Sequence, residues 1–264
     1  MLSVTSAQLD AWLAAFFYPL ARVLALLASS PVLNNVAVPR RVRLLIGLAV
    51  TVGLAPALPP LAAVAPGSGL GLTLLAQQVL IGLAMGFTLR IVFSAVDLAG
   101  ELVGLQMGLS FAVFYDPQNA AQTAVVAEFL GLLAALVFLS ANGHLMILAV
   151  LAQSFTLLPI GGDPFAAAGF ATLARWGATL FSAGILLALP LIAALLITNI
   201  ALGVLTRAAP TLNLFAVGFP VTLLVGFSVL LLSLSYMAPA LQSLFERGLD
   251  QIGTVLGAGA PLRE

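Results

Sequence analysis

At 264 residues, 62% of them hydrophobic and only nine basic and nine acidic, the chain is too apolar for an ordinary soluble domain. Its zero net charge offers no basic footprint for nucleic acid, and the lack of cysteine removes disulfides, thiolate metal sites and thiol chemistry. No charged residue stands between Arg43 and Arg90 or between Arg207 and Glu246, stretches whose natural solvent is lipid or a large apolar assembly.

The first ten residues carry no positive region and no cleavage site follows them, so the first apolar run is expected to stay in the mature protein. That run, Leu9 to Leu33, is interrupted by Arg22 and ends at Pro31 and Asn34-Asn35. Val38-Pro39-Arg40-Arg41-Val42-Arg43 reads as a short basic loop, on the cytoplasmic side by its charge. Leu44 to Leu61 is the second run, broken near its end by prolines, and Pro66 to Gly69 is a turn. Leu70 to Ser110 contains no proline. One helix of that length spans about 60 Å, twice a bilayer core, so it either breaks near Arg90 or projects well past the membrane.

Phe111 to Gln122 reads as a loop around Asp116-Pro117, followed by one long apolar helix from Thr123 to Phe155. Leu158 to Gly169 is a Pro/Gly-rich connection. Ala171 to Thr206 is helical, with a kink or break expected at Pro190. Leu214 to Arg247 is the last run, and the tail from Leu249 is expected to be flexible. The fold class is therefore all-α: one membrane-type domain, residues 1–264, of about six hydrophobic segments with long kinked helices.

Three constellations stand out. On the third segment Gly86, Arg90, Ser94, Asp97, Glu101, Gly104 and Gly108 fall along one helical line, and the glycines form small-xxx-small pairs. Facing lipid would be costly for those charges, so the face is either a seam between helices or a conduit or subunit contact. Gln106 to Pro117 gathers Met107, Phe111, Phe114, Tyr115, Asp116 and Pro117 after a helix end. Such side chains pack a core or seal an aqueous path, and composition alone favours the core. Asn199, Gly203 and Arg207 share a helix face, Pro210 stops that helix, and Asn213 can cap the next, which carries Gly218 and Pro220. The bland account of this stretch is a helical hairpin with polar glue.

His144 stands alone in an apolar run and reads as structural. No phosphate loop, nucleophile elbow or metal-ligand spacing is present in the sequence, so neither an enzyme nor a cofactor is expected.

Arg22, Pro31, Val38-Pro39, Arg43, Ile81-Gly82, Gly86-Phe87, Ala99-Gly100-Glu101, Gln106 to Pro117 and Asn199 to Pro220 together resemble the FliR family of flagellar export proteins. That family is the counterpart of the T component of virulence type III secretion. The likeness runs along nearly the whole chain. One departure is Gln77-Gln78, where many relatives carry a Glu before the Ile-Gly pair. The resemblance implies a FliP-like part joined to a FliQ-like hairpin, assembled with FliP-like and FliQ-like chains, and FlhA-like and FlhB-like export proteins nearby. It implies an inner-membrane export gate of the flagellar basal body that passes unfolded protein, with Phe111 to Pro117 as its plug. A virulence secretion subunit, a small-molecule transporter and a scaffold that lines no pore are the competing readings.

Overall fold

The structure, a computed structural model, describes residues 5–35, 38–58, 64–109, 124–209 and 214–260. Every regular element among these residues is helical. Helix α1, Ser6–Ser29, opens with a capping box: the Gln8 amide donates to Thr5 Oγ1 at 3.3 Å, and the Thr5 amide to Gln8 Oε1 at 3.1 Å. It ends just ahead of Pro31, as the sequence requires.

Helix α2, Arg40–Leu54, corrects the basic-loop expectation. Pro39 starts the helix, so Arg40, Arg41 and Arg43 occupy its first turn. Arg43 turns back and donates to the carbonyls of Leu33 (3.2 Å) and Asn35 (3.3 Å) in the preceding turn. The helix closes in a 3-10 turn, Ala55–Ala57, at Pro56.

Helix α3, Gly69–Gln106, is unbroken at Arg90 over its 38 residues, about 57 Å of rise. It ends in a Schellman motif: Gly108, at φ 81°, donates to Leu105 and Leu109 donates to Gly104, each at 3.0 Å.

The single helix expected from Thr123 to Phe155 is two: α4, Val125–Ser140, and α5, Gly143–Leu157, bent by 66°. Asn142 at φ 57° takes the left-handed conformation that an α-helix excludes, and Gly143 follows it. Helices α6, Ala167–Trp176, and α7, Ala178–Ala208, part at Gly177, while α7 runs through Pro190 without a break. Helix α8, Leu214–Gly259, holds both Pro220 and Pro239 and continues through the tail expected to be flexible. There Leu249, Ile252, Val255 and Leu256 recur at helical spacing and are buried, which is enough to keep the segment folded.

Four described helical stretches are long and apolar enough to cross a membrane, or five if the bent α4–α5 pair is one span. The sequence suggested about six; α2, with 15 residues, falls short of a span.

The chain forms two compact units, Met1–Ile91 with Asn142–Gly177 and Glu246–Glu264, and Val92–Ala141 with Ala178–Phe245. In the first, α1 and α3 run parallel. Tyr18 lies beside Leu74, Arg22 beside Gln78, Ala25 beside Gly82 and Ser29 beside Gly86. A Cβ on Gly82 would strike the Arg22 carbonyl, and one on Gly86 the Ser29 hydroxyl, so these two glycines set the approach of the helices. The end of α8 closes this unit. Ala166 donates its amide to the Gly259 carbonyl at 3.0 Å, and the Phe165 ring fills the space where Gly169 and Gly259 lack side chains.

In the second unit, Gly100 of α3 meets the Ala127 backbone of α4, and Gly184 of α7 meets Ala95 and Leu98. Phe93, Phe138 and Phe245 form a triangle with ring centroids 5.0 to 5.7 Å apart.

Candidate functional site

The most constrained polar centre lies in the first unit. Arg22 projects from the apolar α1 and is fully buried. Its Nε donates to Gln78 Oε1 at 2.9 Å, and its Nη2 to the same oxygen at 2.5 Å and to the Leu158 carbonyl at 2.8 Å. Its Nη1 donates to the Ser154 carbonyl at 2.8 Å and to Ser154 Oγ at 3.0 Å. The guanidinium carbon stands 4.1 Å from the centre of the Phe155 ring. Every N–H of the fork is thereby used.

No carboxylate belongs to this set. Ser154 and Leu158 instead supply carbonyls at the C-terminal end of α5, where a helix has orphan acceptors and the negative end of its dipole. That helix end, the Gln78 oxygen and the Phe155 ring face together compensate the cation. Arg22 therefore joins α1 and α3 to the end of α5, a helix that has little water there to finish its hydrogen bonds.

The two glutamines divide their work. Gln78 is buried and holds Arg22, while its own Nε2 finds no acceptor among the described residues. Gln77 is half-buried and donates to the Asp163 carbonyl at 2.8 Å, tying down the connection between α5 and α6. An acid at position 78 would face Arg22 directly. The sequence reading noted Arg22 and the glutamine pair but did not connect them, and it missed Ser154 altogether. The available signal was a short polar interruption in each of three apolar runs: Arg22, Gln77-Gln78 and Gln153-Ser154.

The residues of the expected α3 face have mixed surroundings. Gly86 and Gly104 are buried, Gly86 in the seam with α1. Arg90, Asp97 and Glu101 are exposed. Gly108 lies past the helix end and terminates it. Of the expected plug, only Met107 is described; Phe111, Phe114, Tyr115, Asp116 and Pro117 lie outside the described residues. Met107 is fully buried, its side chain against Gly226 of α8 and its carbonyl accepting from Thr222 Oγ1 at 3.4 Å.

Asn199, Gly203 and Arg207 are all exposed on α7, which ends at Ala208. Gly203 has open space where a side chain would stand. Gly218 is buried and Pro220 exposed on α8, while Pro210 and Asn213 lie outside the described residues. His144 is exposed in the first turn of α5, and no cluster of metal-ligating side chains occurs among the described residues.

Residues 13–248 match the model of a family described as bacterial export proteins, family 1. The flagellar biosynthetic protein FliR of Escherichia coli (strain K12) is 44% identical over 256 residues, 97% of this chain and 98% of that protein. That of Pectobacterium carotovorum subsp. carotovorum is 44% identical over 260 residues, with the same shares covered. That of Bacillus subtilis (strain 168) is 30% identical over 184 residues, 68% of this chain and 71% of that protein. The family match spans most of the chain and two relatives are 44% identical over 97% of it, so the chain belongs to the FliR family, family 1 of the bacterial export proteins.

Proposed function

We propose that the chain is a pore-forming structural subunit of the flagellar type III protein export gate, and not an enzyme. It sits in the bacterial inner membrane at the flagellar basal body and passes unfolded flagellar proteins. The observation that carries this reading is the likeness to flagellar relatives over 97% of the chain. Residues 1–264 act as one functional domain, because α3 and α8 each contribute to both compact units.

The partners are FliP-like and FliQ-like subunits, with FlhA-like and FlhB-like proteins adjacent, in a FliP-like plus FliQ-like arrangement. Support comes from surface chemistry: in the span candidate Ala167–Ala208, and again in Ala216–Gly259, only 22% of the most apolar window is buried within the chain. The α3 face that carries Arg90, Asp97 and Glu101 meets neighbouring subunits or the conduit, since ionisable side chains on so apolar a helix do not face lipid. Met107, Phe111, Phe114, Tyr115, Asp116 and Pro117 form the plug that occludes the pore until unfolded protein passes.

The test is the mass of the particle that co-purifies in mild detergent when the native neighbouring genes are expressed alongside. One large particle containing FliP-like and FliQ-like chains is the expected result, and a stable monomer or homodimer would refute the reading. Deleting residues Phe111 to Tyr115 should raise ion leak through that particle. An unchanged leak and unchanged secretion would remove the plug.

A further inference from the structure

We propose that Met107, seated in a notch at Gly226 of α8, is a positioning residue: it fixes the end of α3, and with it the point from which the plug departs. This rests on the export-gate reading above and deepens it, giving Met107 the part of an anchor among the plug residues.

Helix α3 is unbroken for 38 residues, so where its last turn is held decides where the chain leaves it. Met107 still donates its amide to the Val103 carbonyl at 2.9 Å, and Gly108 at φ 81° then turns the backbone out of the helix. Met107 is thus the last side chain that α3 itself aims. Ala99, Val103 and Met107 stand at i, i+4 and i+8, and all three are buried. On α8, Thr222, Gly226 and Leu230 have the same spacing and are also buried. The Met107 side chain occupies the gap that Gly226 leaves. A Cβ there would stand 2.7 Å from both Cγ and Cε of Met107 and 2.9 Å from its sulfur. An unbranched thioether suits so irregular a space. Thr222 Oγ1 lies 3.4 Å from the Met107 carbonyl, one of the acceptors that a helix end leaves open. Its single proton also serves the Phe219 carbonyl at 2.9 Å, and the shorter bond takes most of it. The side chain in its notch therefore carries more of the hold than the hydroxyl does.

The hold is local to the end of α3. The same two helices also touch where the Phe93 and Phe245 rings meet, 5.0 Å between centroids, but that contact lies about 21 Å back along α3. The returning chain is fixed to the same helix. Gly100 meets the Ala127 backbone, and Val126 lies 3.9 Å from where a Cβ on Gly104 would stand. Both flanks of residues 110–123 are thus attached near one end of α3, the returning flank by backbone contact and the departing flank through the Met107 side chain. A side chain can be displaced without separating two helices, whereas a backbone contact cannot. The departing flank is therefore the one that a small substitution can release.

Potassium efflux from proteoliposomes carrying the particle purified with the neighbouring gene products reads the leak. Gly226→Ala meets a movable side chain and not backbone, so the particle should form at the parental yield and close to the parental unfolding midpoint. Its efflux rate should nevertheless rise severalfold. Gly253→Ala, in open space on the same helix, should leave efflux at the parental rate. In a particle already lacking Phe111 to Tyr115, Gly226→Ala should add nothing, because an anchor acts through the segment that has been removed. A pore wall loosened elsewhere would add its leak to that of the deletion, and such additivity overturns the proposal. Unchanged efflux from Gly226→Ala, when the deletion itself leaks, overturns it too and leaves the plug standing. A deletion that does not leak removes the plug and its anchor together. Should Gly226→Ala lower the yield of particle, Met107→Ala, which adds no atom to the contact, is judged by the same outcomes.

Discussion

The surroundings of Arg22 and the outward face of α7 handle the same difficulty, polar groups on very apolar helices, in opposite ways. Arg22 meets its partners inside its own compact unit: Gln78, Ser154 and Leu158 take every donor, and Phe155 covers the ring plane. Asn199, Gly203 and Arg207 of α7 instead stand exposed among Ile197, Ile200 and Val204. The first centre holds the fold together. The second leaves surface for whatever surrounds the chain. Substitutions near Arg22 should therefore appear as changed stability of the isolated chain, and substitutions on the α7 face as lost assembly.

The largest effect is expected from Arg22→Ala. It strands the Gln78 oxygen and two carbonyls at the end of α5, and each buried acceptor left without a donor costs about 1–3 kcal/mol. Thermal unfolding of the purified chain in detergent should show it as a steep drop in midpoint. Arg22→Lys should recover little, because an ammonium cannot fork to Gln78 and both carbonyls. A variant as stable as the parent would mean that Arg22 does not tie the three helices.

Next is Gly86→Val, which drives a side chain into Ser29 and should separate α1 from α3 at a cost of about 1–3 kcal/mol. Protease resistance of the first unit reads this out, and Gly203→Val, in open space on α7, is the matched control. Gln78→Glu should act in the other direction. A carboxylate accepts from Nε and Nη2 as the amide does and gives the buried cation a counter-charge, and such charge-assisted bonds are about twice as strong as neutral ones, although its second oxygen stands where the unpartnered Nε2 stood. A higher unfolding midpoint is expected, and a lower one would show that the stranded second carboxylate oxygen outweighs the added counter-charge.

The smallest effect on stability belongs to Arg207→Ala, within about 0.5 kcal/mol for an exposed residue. The yield of the co-purified particle should nevertheless fall. Arg90→Ala is expected to behave likewise, and unchanged particle yield in both would leave the exposed charges as solvated groups only.

Much of the helical layout was legible because apolar runs and prolines mark it directly: α1 stops before Pro31, α7 before Pro210, and the Gly82/Gly86 pair does sit at a close helix approach. The misses share a cause. Asn142-Gly143 is a break only because Asn142 takes a left-handed conformation, and composition does not distinguish that from a polar pair within a helix. The tail after Arg247 looked polar because Asp250, Gln251 and Thr254 were read without their partners at Leu249, Ile252, Val255 and Leu256. Pro190 was expected to kink or break its helix, and α7 carries on through it without a break. The Arg22 centre was hidden for a different reason. Its members come from three distant helices, and only packing brings them together.

That distance along the chain has a consequence for biogenesis. Arg22 waits for an acceptor 56 residues downstream and for others 132 and 136 residues downstream. At ribosomal speeds of about 5–20 residues per second, the last of them is synthesised roughly 7–27 s after Arg22 itself. During that interval α1 is a nascent segment with an unmatched cation, a burden of about 2.5–3.5 kcal/mol on its insertion. The first helix of this protein is thus made early and secured late, and the ribosome has nearly reached α6 before α1 has a permanent place.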